Sequence, residues 1–187
     1  MSLTEREMWT VLHGMCLGAL FLLAFSGGLA ELWGLRWELM SAAGITKSVR
    51  RLMVGTWTMA VVAWLTVITG TYIVYPWYRA KPPVTPAAPA TSVAEKPDLA
   101  PYPRAYLMSN PNTVQWHQFG MEWKEHIAWF SPILATAVAF IVSRYRQQLA
   151  HDNILRRAAM TLFVLSFAAA GAAGLFGAFI NKAAPLH

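Results

Sequence analysis

The residues of this chain that could carry cofactor chemistry are two histidines that stand in or beside long apolar runs. His13 follows Trp9 inside the first run, and His126 stands at the start of the third. At 3.6 residues per turn, His126 shares a helical face with Phe119 and Trp123. An ionisable side chain inside a membrane span marks a functional site by default. Because two imidazoles from separate helices can supply the axial nitrogens of a haem b, we predict that His13 and His126 ligate its iron.

Further residues near the two histidines suit the same cofactor. Gly14 and Gly18 have a small-residue spacing that lets a flat group or another backbone approach closely. Arg79, just past the second apolar run, could pair with a haem propionate because a guanidinium binds carboxylates through two hydrogen bonds. Trp123, three residues before His126, completes the predicted cofactor-binding set.

Other uses of these histidines stay open at the level of sequence. His13 would equally serve as a hydrogen-bond partner of a neighbouring helix, and His126 as an interfacial residue without a ligand. Another metal or a quinone contact is a further alternative. His117 lies outside the apolar run, where we expect it to be solvated or to accept a proton from a lipid-soluble substrate.

The elements that must position these residues follow from the distribution of charge. The chain is 56% hydrophobic and only 13% charged, and residues 8–30, 52–78, 127–143 and 158–181 contain no Asp, Glu, Lys or Arg. A helix needs about 20 apolar residues to cross a bilayer. We therefore predict an all-α integral membrane protein, a single domain over residues 1–187. Its four transmembrane helices form one bundle and lie at about 8–30, 52–75, 116–143 and 157–180.

Residues 80–104 differ sharply from these spans and form a long Pro-rich loop between helices 2 and 3. Seven prolines stand between Lys81 and Ala105, among Ala, Thr, Ser and Val. Such a composition is typical of a semi-extended linker without a core of its own. The linker is interpreted as a spacer or, alternatively, as a strap over a partner subunit.

The basic residues predict how the chain faces the membrane. Loops after helices 1 and 3 hold eight basic and three acidic side chains, against seven and six in the rest of the chain. Positive loops favour the cytoplasm, so both termini and the Pro-rich loop are predicted outside, in the periplasm if the membrane is a bacterial inner membrane. We exclude a nucleic-acid partner because no basic patch is interleaved with aromatics on a soluble domain.

With its histidines on separate helices, glycines beside them and basic loops at the other end, the chain resembles small four-helix membrane cytochromes b. The resemblance implies a haem b electron-transfer subunit at the outer face, which exchanges electrons with quinol or a periplasmic cytochrome rather than acting as a stand-alone enzyme. Those cytochromes often carry four histidine ligands, and this chain offers two. The alternative is a cofactor-free accessory subunit of a larger respiratory or photosynthetic membrane complex.

Overall fold

A computed structural model of the chain describes residues 3–83 and 98–184. Within these ranges the chain is helical, and four helices are long and apolar enough to cross a bilayer: α1 Glu5–Gly34, α2 Ala42–Tyr78, α4 Trp116–Tyr145 and α5 Asn153–Ala183. A short helix, α3 (Pro103–Met108), stands between α2 and α4. The predicted all-α class is confirmed, together with four helices of the length and apolar composition that a membrane span needs. Residues 84–97 of the predicted Pro-rich linker lie outside the described residues.

Polar side chains at the starts of three spans explain where these helices begin. Thr4 forms a capping box, in which its hydroxyl accepts from the Glu7 amide at 3.2 Å and the Glu7 carboxylate accepts from the Thr4 amide at 2.8 Å. Ser41 caps α2, and Asp152 caps α5 by accepting from two backbone amides at 2.9 and 3.0 Å. These caps satisfy amides that have no partner inside the helix, so each span begins a few residues before its apolar run.

The four spans form a ring in which α1 packs on α2, α2 on α4, α4 on α5, and α5 closes back against α1. Phe163 of α5 lies fully buried at the centre, and the ring of Phe25 stands 5.1 Å from it. Gly28 of α1 faces the same aromatic side chain, because a Cβ at Gly28 would lie only 2.7 Å from Cζ of Phe163. Because Gly28 has no side chain, α1 can approach α5 closely enough to close the core.

The two ends of the bundle differ. At the loop end, residues 35–41 join α1 to α2 and residues 146–152 join α4 to α5. The opposite end, which we call the network end, is closed by α3. There the buried side chains of Tyr78, Leu107 and Met121 pack with Ile180 and Ala184 in a second apolar cluster. Leu107 is fully buried, so it anchors α3 onto the spans.

Three short π-helical segments interrupt the spans, all of them towards the network end. They comprise Leu12–Cys16 in α1, Gly70–Val74 in α2 and Trp116–Met121 in α4. A π-segment inserts an extra residue into a turn and is frequent at functional sites. Each of the three contains a residue of the site described next.

Candidate functional site

His13, inside the π-segment of α1, is held against α2. Its Nδ1 lies 3.0 Å from the hydroxyl of Thr69, and that hydroxyl donates its own proton to the carbonyl of Leu65 at 2.7 Å. The Thr69 oxygen must therefore accept, so we assign the imidazole proton to Nδ1. The ring edge packs on Gly70, where a Cβ would stand 2.7 Å from Cε1 of His13. Only glycine at position 70 leaves room for this contact.

Lys124 reaches into the bundle from α4. Its side chain lies along α5, with Cε 3.3 Å and Nζ 3.4 Å from the place where a Cβ of Gly177 would stand. The ammonium lies within electrostatic range of His13 and of Glu125. Among residues 3–83 and 98–184, no group lies within hydrogen-bonding or ion-pairing distance of this ammonium. Lys124 is thus a half-buried side chain without a direct polar partner among the described residues.

Glu125, the next residue, has one of its two oxygens paired. Oε2 accepts from the Tyr75 hydroxyl at 2.9 Å, and Arg79 donates to the same tyrosine oxygen from Nη1 at 2.8 Å. The bond to Tyr75 raises the pKa of the Arg79 guanidinium, which therefore stays fully charged. Oε1 of Glu125 is buried and accepts no hydrogen bond from the described residues. A buried carboxylate oxygen without a donor is costly and calls for an explanation.

A second chain of hydrogen bonds runs beside the first. Arg104 of α3 donates from Nε to Nε2 of His117 at 3.1 Å, and Nδ1 of His117 lies 2.9 Å from the Tyr78 hydroxyl. A guanidinium can only donate, so Nε2 carries no proton and the imidazole donates to Tyr78 from Nδ1. The rings of Tyr75 and Tyr78 stack with centroids 6.3 Å apart. Lys124 lies within electrostatic range of Glu125 and of His13. We refer to the two chains together with Lys124 and His13 as the polar cluster: His13, Tyr75, Tyr78, Arg79, Arg104, His117, Lys124 and Glu125.

His126 takes no part in this cluster. Its side chain is exposed, and Nδ1 lies 2.7 Å from the carbonyl oxygen of Glu122 in its own helix. His13 and His126 stand on α1 and α4, which are not neighbours in the ring, and no contact between the two imidazoles is among those of the described residues. Direct contact between the two predicted ligands is therefore not observed in the described residues, and shared haem ligation stays a prediction.

The other predicted cofactor contacts are distributed around the network end. Gly14 and Gly18 face open space, with nothing within 4 Å of a Cβ built on either. Trp123 is half-exposed and packs on Phe119, with ring centroids 5.7 Å apart. Arg79 belongs to the polar cluster through Tyr75. Of the predicted site, His13 and Arg79 therefore enter the cluster, whereas His126 and Trp123 lie on the exposed face of α4.

Sequence reasoning missed Lys124 and Glu125 as interior residues. The apolar face of α4, with Phe119, Trp123 and Phe130, is more than half exposed at each of these positions. In a bilayer the apolar side of a helix faces the lipid and its polar side chains turn towards the bundle. Lys124 and Glu125 therefore indicate, already in the sequence, which face of α4 turns towards the bundle.

Two surface clefts of the described chain lie away from the polar cluster. One, of about 490 Å³, runs along α2 from Met53 to Val62. The other, of about 220 Å³, lies between α1 and α2 and is lined in part by Gly27, Gly28 and Gly55. In the described part of the chain, no group of three or more His, Cys, Asp or Glu side chains is arranged to hold a metal ion.

Comparison of the chain with protein-family models, with curated proteins and with solved structures finds no match. The geometry of the polar cluster is therefore the basis on which a function can be proposed.

Proposed function

We propose that this chain is a subunit of a membrane electron-transfer complex and that its polar cluster binds the headgroup of a quinol. The observation that carries the proposal is the pair of unmatched charged groups on α4. Lys124 has an ammonium without an acceptor, and Glu125 has a buried oxygen without a donor. Each hydroxyl of a quinol can both donate and accept, so one can accept from Lys124 while the other donates to Glu125.

The surrounding residues would hold Glu125 in place as the acceptor of the ligand's proton. The carboxylate of Glu125 accepts the ligand hydroxyl, and Tyr75 connects that carboxylate to the exposed Arg79 through bonds of 2.9 and 2.8 Å. Tyr78 and His117 form a parallel connection to Arg104. The chain itself holds the quinol headgroup and takes up its proton. The electrons of the quinol pass to a one-electron acceptor on a partner subunit.

The uncovered surface of α1 supports the assignment as a subunit. Only 11% of the apolar window of α1 is buried inside the chain, against 28–39% for the other spans. Gly14, Gly18 and Gly27 on this helix have nothing within 4 Å of an added Cβ. Gly14 and Gly18 stand four residues apart. Exposed glycines at that spacing favour close packing of another transmembrane helix, and we propose a helix of a partner subunit as the occupant.

The orientation proposed from the basic loops is consistent with this role. Both termini and the network end lie outside, at the periplasmic face if the membrane is a bacterial inner membrane. Quinol would then deliver its protons to the outer side.

The proposal is tested by measuring the binding of decylubiquinol to the purified chain in detergent. Quenching of tryptophan fluorescence reports the binding. Glu125→Gln keeps an acceptor for Tyr75 but presents an amide N–H to the ligand hydroxyl, and Lys124→Met removes the donor. Each variant should weaken binding about tenfold or more, because a buried hydrogen bond to a charged group contributes about 1.5–3 kcal/mol. His126→Gln is the matched control and should bind as the native chain does. Absence of saturable binding would contradict the quinol site.

Binding of haem b between His13 and His126 is a second candidate function. One feature that the two histidines share favours it. Nδ1 of each imidazole is bonded to an oxygen, which leaves Nε2 as the remaining ring nitrogen. Metal-ligating histidines are usually held in this way by their other nitrogen. Haem would supply one-electron chemistry, and the chain would supply the two ring nitrogens and Arg79 for a propionate.

A reduced-minus-oxidised spectrum of the purified chain separates the two candidates. Haem ligation predicts b-type bands that disappear in both His13→Ala and His126→Ala. A colourless, iron-free preparation that still binds the quinol would leave the first proposal standing and remove the second.

A further inference from the structure

Arg156, at the loop end, is a buried cation. Its side chain is 6% exposed, and Nη1 donates to the carbonyls of Leu149 and Ala150 at 3.2 and 3.4 Å. Nη2 bonds the side-chain oxygen of Asn153. These three neutral acceptors bind part of the five guanidinium N–H groups but leave its charge uncompensated. Buried arginines are rare unless they are paired with an opposite charge.

The charges around Arg156 add to this imbalance. Arg36 and Arg157 lie within electrostatic range of it, and Glu38 is the one acid that acts on it appreciably. Asp152 is engaged in capping α5. The carboxylate of Glu31 is paired with Arg51 instead. Three guanidinium groups thus share one region with one nearby carboxylate.

This basic region stands where a lipid headgroup would be. It lies at the junction of the loop after α1 and the start of α5, and these segments meet where Trp37 stacks on His151 with centroids 5.8 Å apart. Trp33 and Trp37 are 65% and 52% exposed, and the Arg36 guanidinium lies 5.9 Å from the centre of the Trp33 ring. Exposed tryptophans beside arginines at the ends of spans are typical of the headgroup level of a bilayer.

We propose that Arg36 and Arg157 bind the phosphate of an anionic phospholipid, with the buried Arg156 behind them adding to the positive field. Planar guanidinium groups bind phosphate oxygens through paired hydrogen bonds. Basic pockets between transmembrane helices are known to bind anionic headgroups. The exposed apolar surface of α1 beside Trp33 would receive the acyl chains. This site is independent of the quinol site, which lies at the opposite end of the bundle.

Thermal-shift titration of the full chain in mild detergent tests the site with three probes: phosphatidylglycerol, phosphatidylcholine and inorganic phosphate. We expect saturable stabilisation by phosphatidylglycerol alone. The double variant Arg36→Gln/Arg157→Gln should raise the half-saturating concentration of phosphatidylglycerol at least about tenfold, because each basic side chain near an anionic surface contributes about 1 kcal/mol. Both residues are exposed, so their substitution leaves the Arg156 bonds in place.

Lys47→Gln/Arg50→Gln is the matched control, since it removes the same charge from exposed positions of α2 at the same end. It should retain phosphatidylglycerol binding. An equal loss in both double variants would overturn the site in favour of general surface charge. Equal stabilisation by inorganic phosphate would overturn the lipid as its ligand, and equal stabilisation by phosphatidylcholine would overturn recognition of anionic headgroups.

Discussion

At the scale of single residues, His117 has a protonation state that its neighbours define. It receives the Nε–H of Arg104, which requires an unprotonated Nε2. Protonation of that nitrogen would remove the acceptor and place two cations together. Glu122 and Glu125 lie within electrostatic range and oppose this repulsion, while Arg79 adds to it.

Acidification should therefore loosen α3 from the bundle. The attachment through Arg104 is present when His117 is neutral and is lost as the pH falls through the range in which imidazole takes up a proton. Hydrogen-exchange protection factors of residues 103–108, measured at pH 8 and pH 5, should drop in the native chain.

His117→Gln supplies the control for this prediction. Its amide oxygen can accept from Arg104, its amide nitrogen can donate to Tyr78, and neither group titrates. Protection of α3 should then be nearly independent of pH. An equal acid-induced loss in this variant would show that another group is responsible.

The polar cluster also shows what the residue pattern could not reveal. The partners His13 and Thr69 are 56 residues apart, Tyr75 and Glu125 are 50, and Tyr78 and His117 are 39. Pairings of this kind depend on how each helix is rotated about its axis. Charge-free windows predict that helices exist and how long they are, but not their rotation, so the fold class was predictable and the contacts of the cluster were not.

At the scale of helices, two adjacent glycines of α1 occupy opposite environments. An added Cβ at Gly28 meets the Phe163 ring at 2.7 Å, whereas one at Gly27 meets nothing within 4 Å. Phe163 is fully buried and in contact with Phe25. A shift of this ring would therefore disturb its contact with Phe25.

Gly28→Ala should consequently destabilise the bundle by about 1–3 kcal/mol, the usual effect of overpacking a filled core. Gly27→Ala should be neutral or slightly stabilising, because alanine is the better helix former by about 1 kcal/mol. Unfolding in a denaturing detergent, followed by circular dichroism, compares the two. If both substitutions have the same effect, the contact between Gly28 and Phe163 does not limit the approach of α1.

At the scale of the whole molecule, the two ends carry different chemistry. Hydrogen-bonded tyrosines and ionisable side chains gather at the network end, and basic side chains predominate at the loop end. The charge bias predicts that the loop end faces the cytoplasm.

Single-cysteine labelling on intact cells tests this orientation. Cys16→Ser removes the native thiol, and Asn112→Cys or Gln147→Cys places a new one at an exposed position of the network or loop end. A membrane-impermeant maleimide should label position 112 in intact cells and position 147 only after permeabilisation. The reverse pattern would place the polar cluster at the cytoplasmic face.

The π-segment of α1 holds one residue more than regular α-helix would need over the same stretch. Each residue of an α-helix turns the chain by about 100°, but the wider π-turn absorbs its extra residue locally. Deleting one residue within Leu12–Cys16 and restoring regular α-helix would therefore leave residues 5–11 and residues 17–34 facing nearly the same directions as before. A difference of one residue in the length of this segment would thus change the surroundings of His13, while the two flanking parts of α1 keep their neighbours.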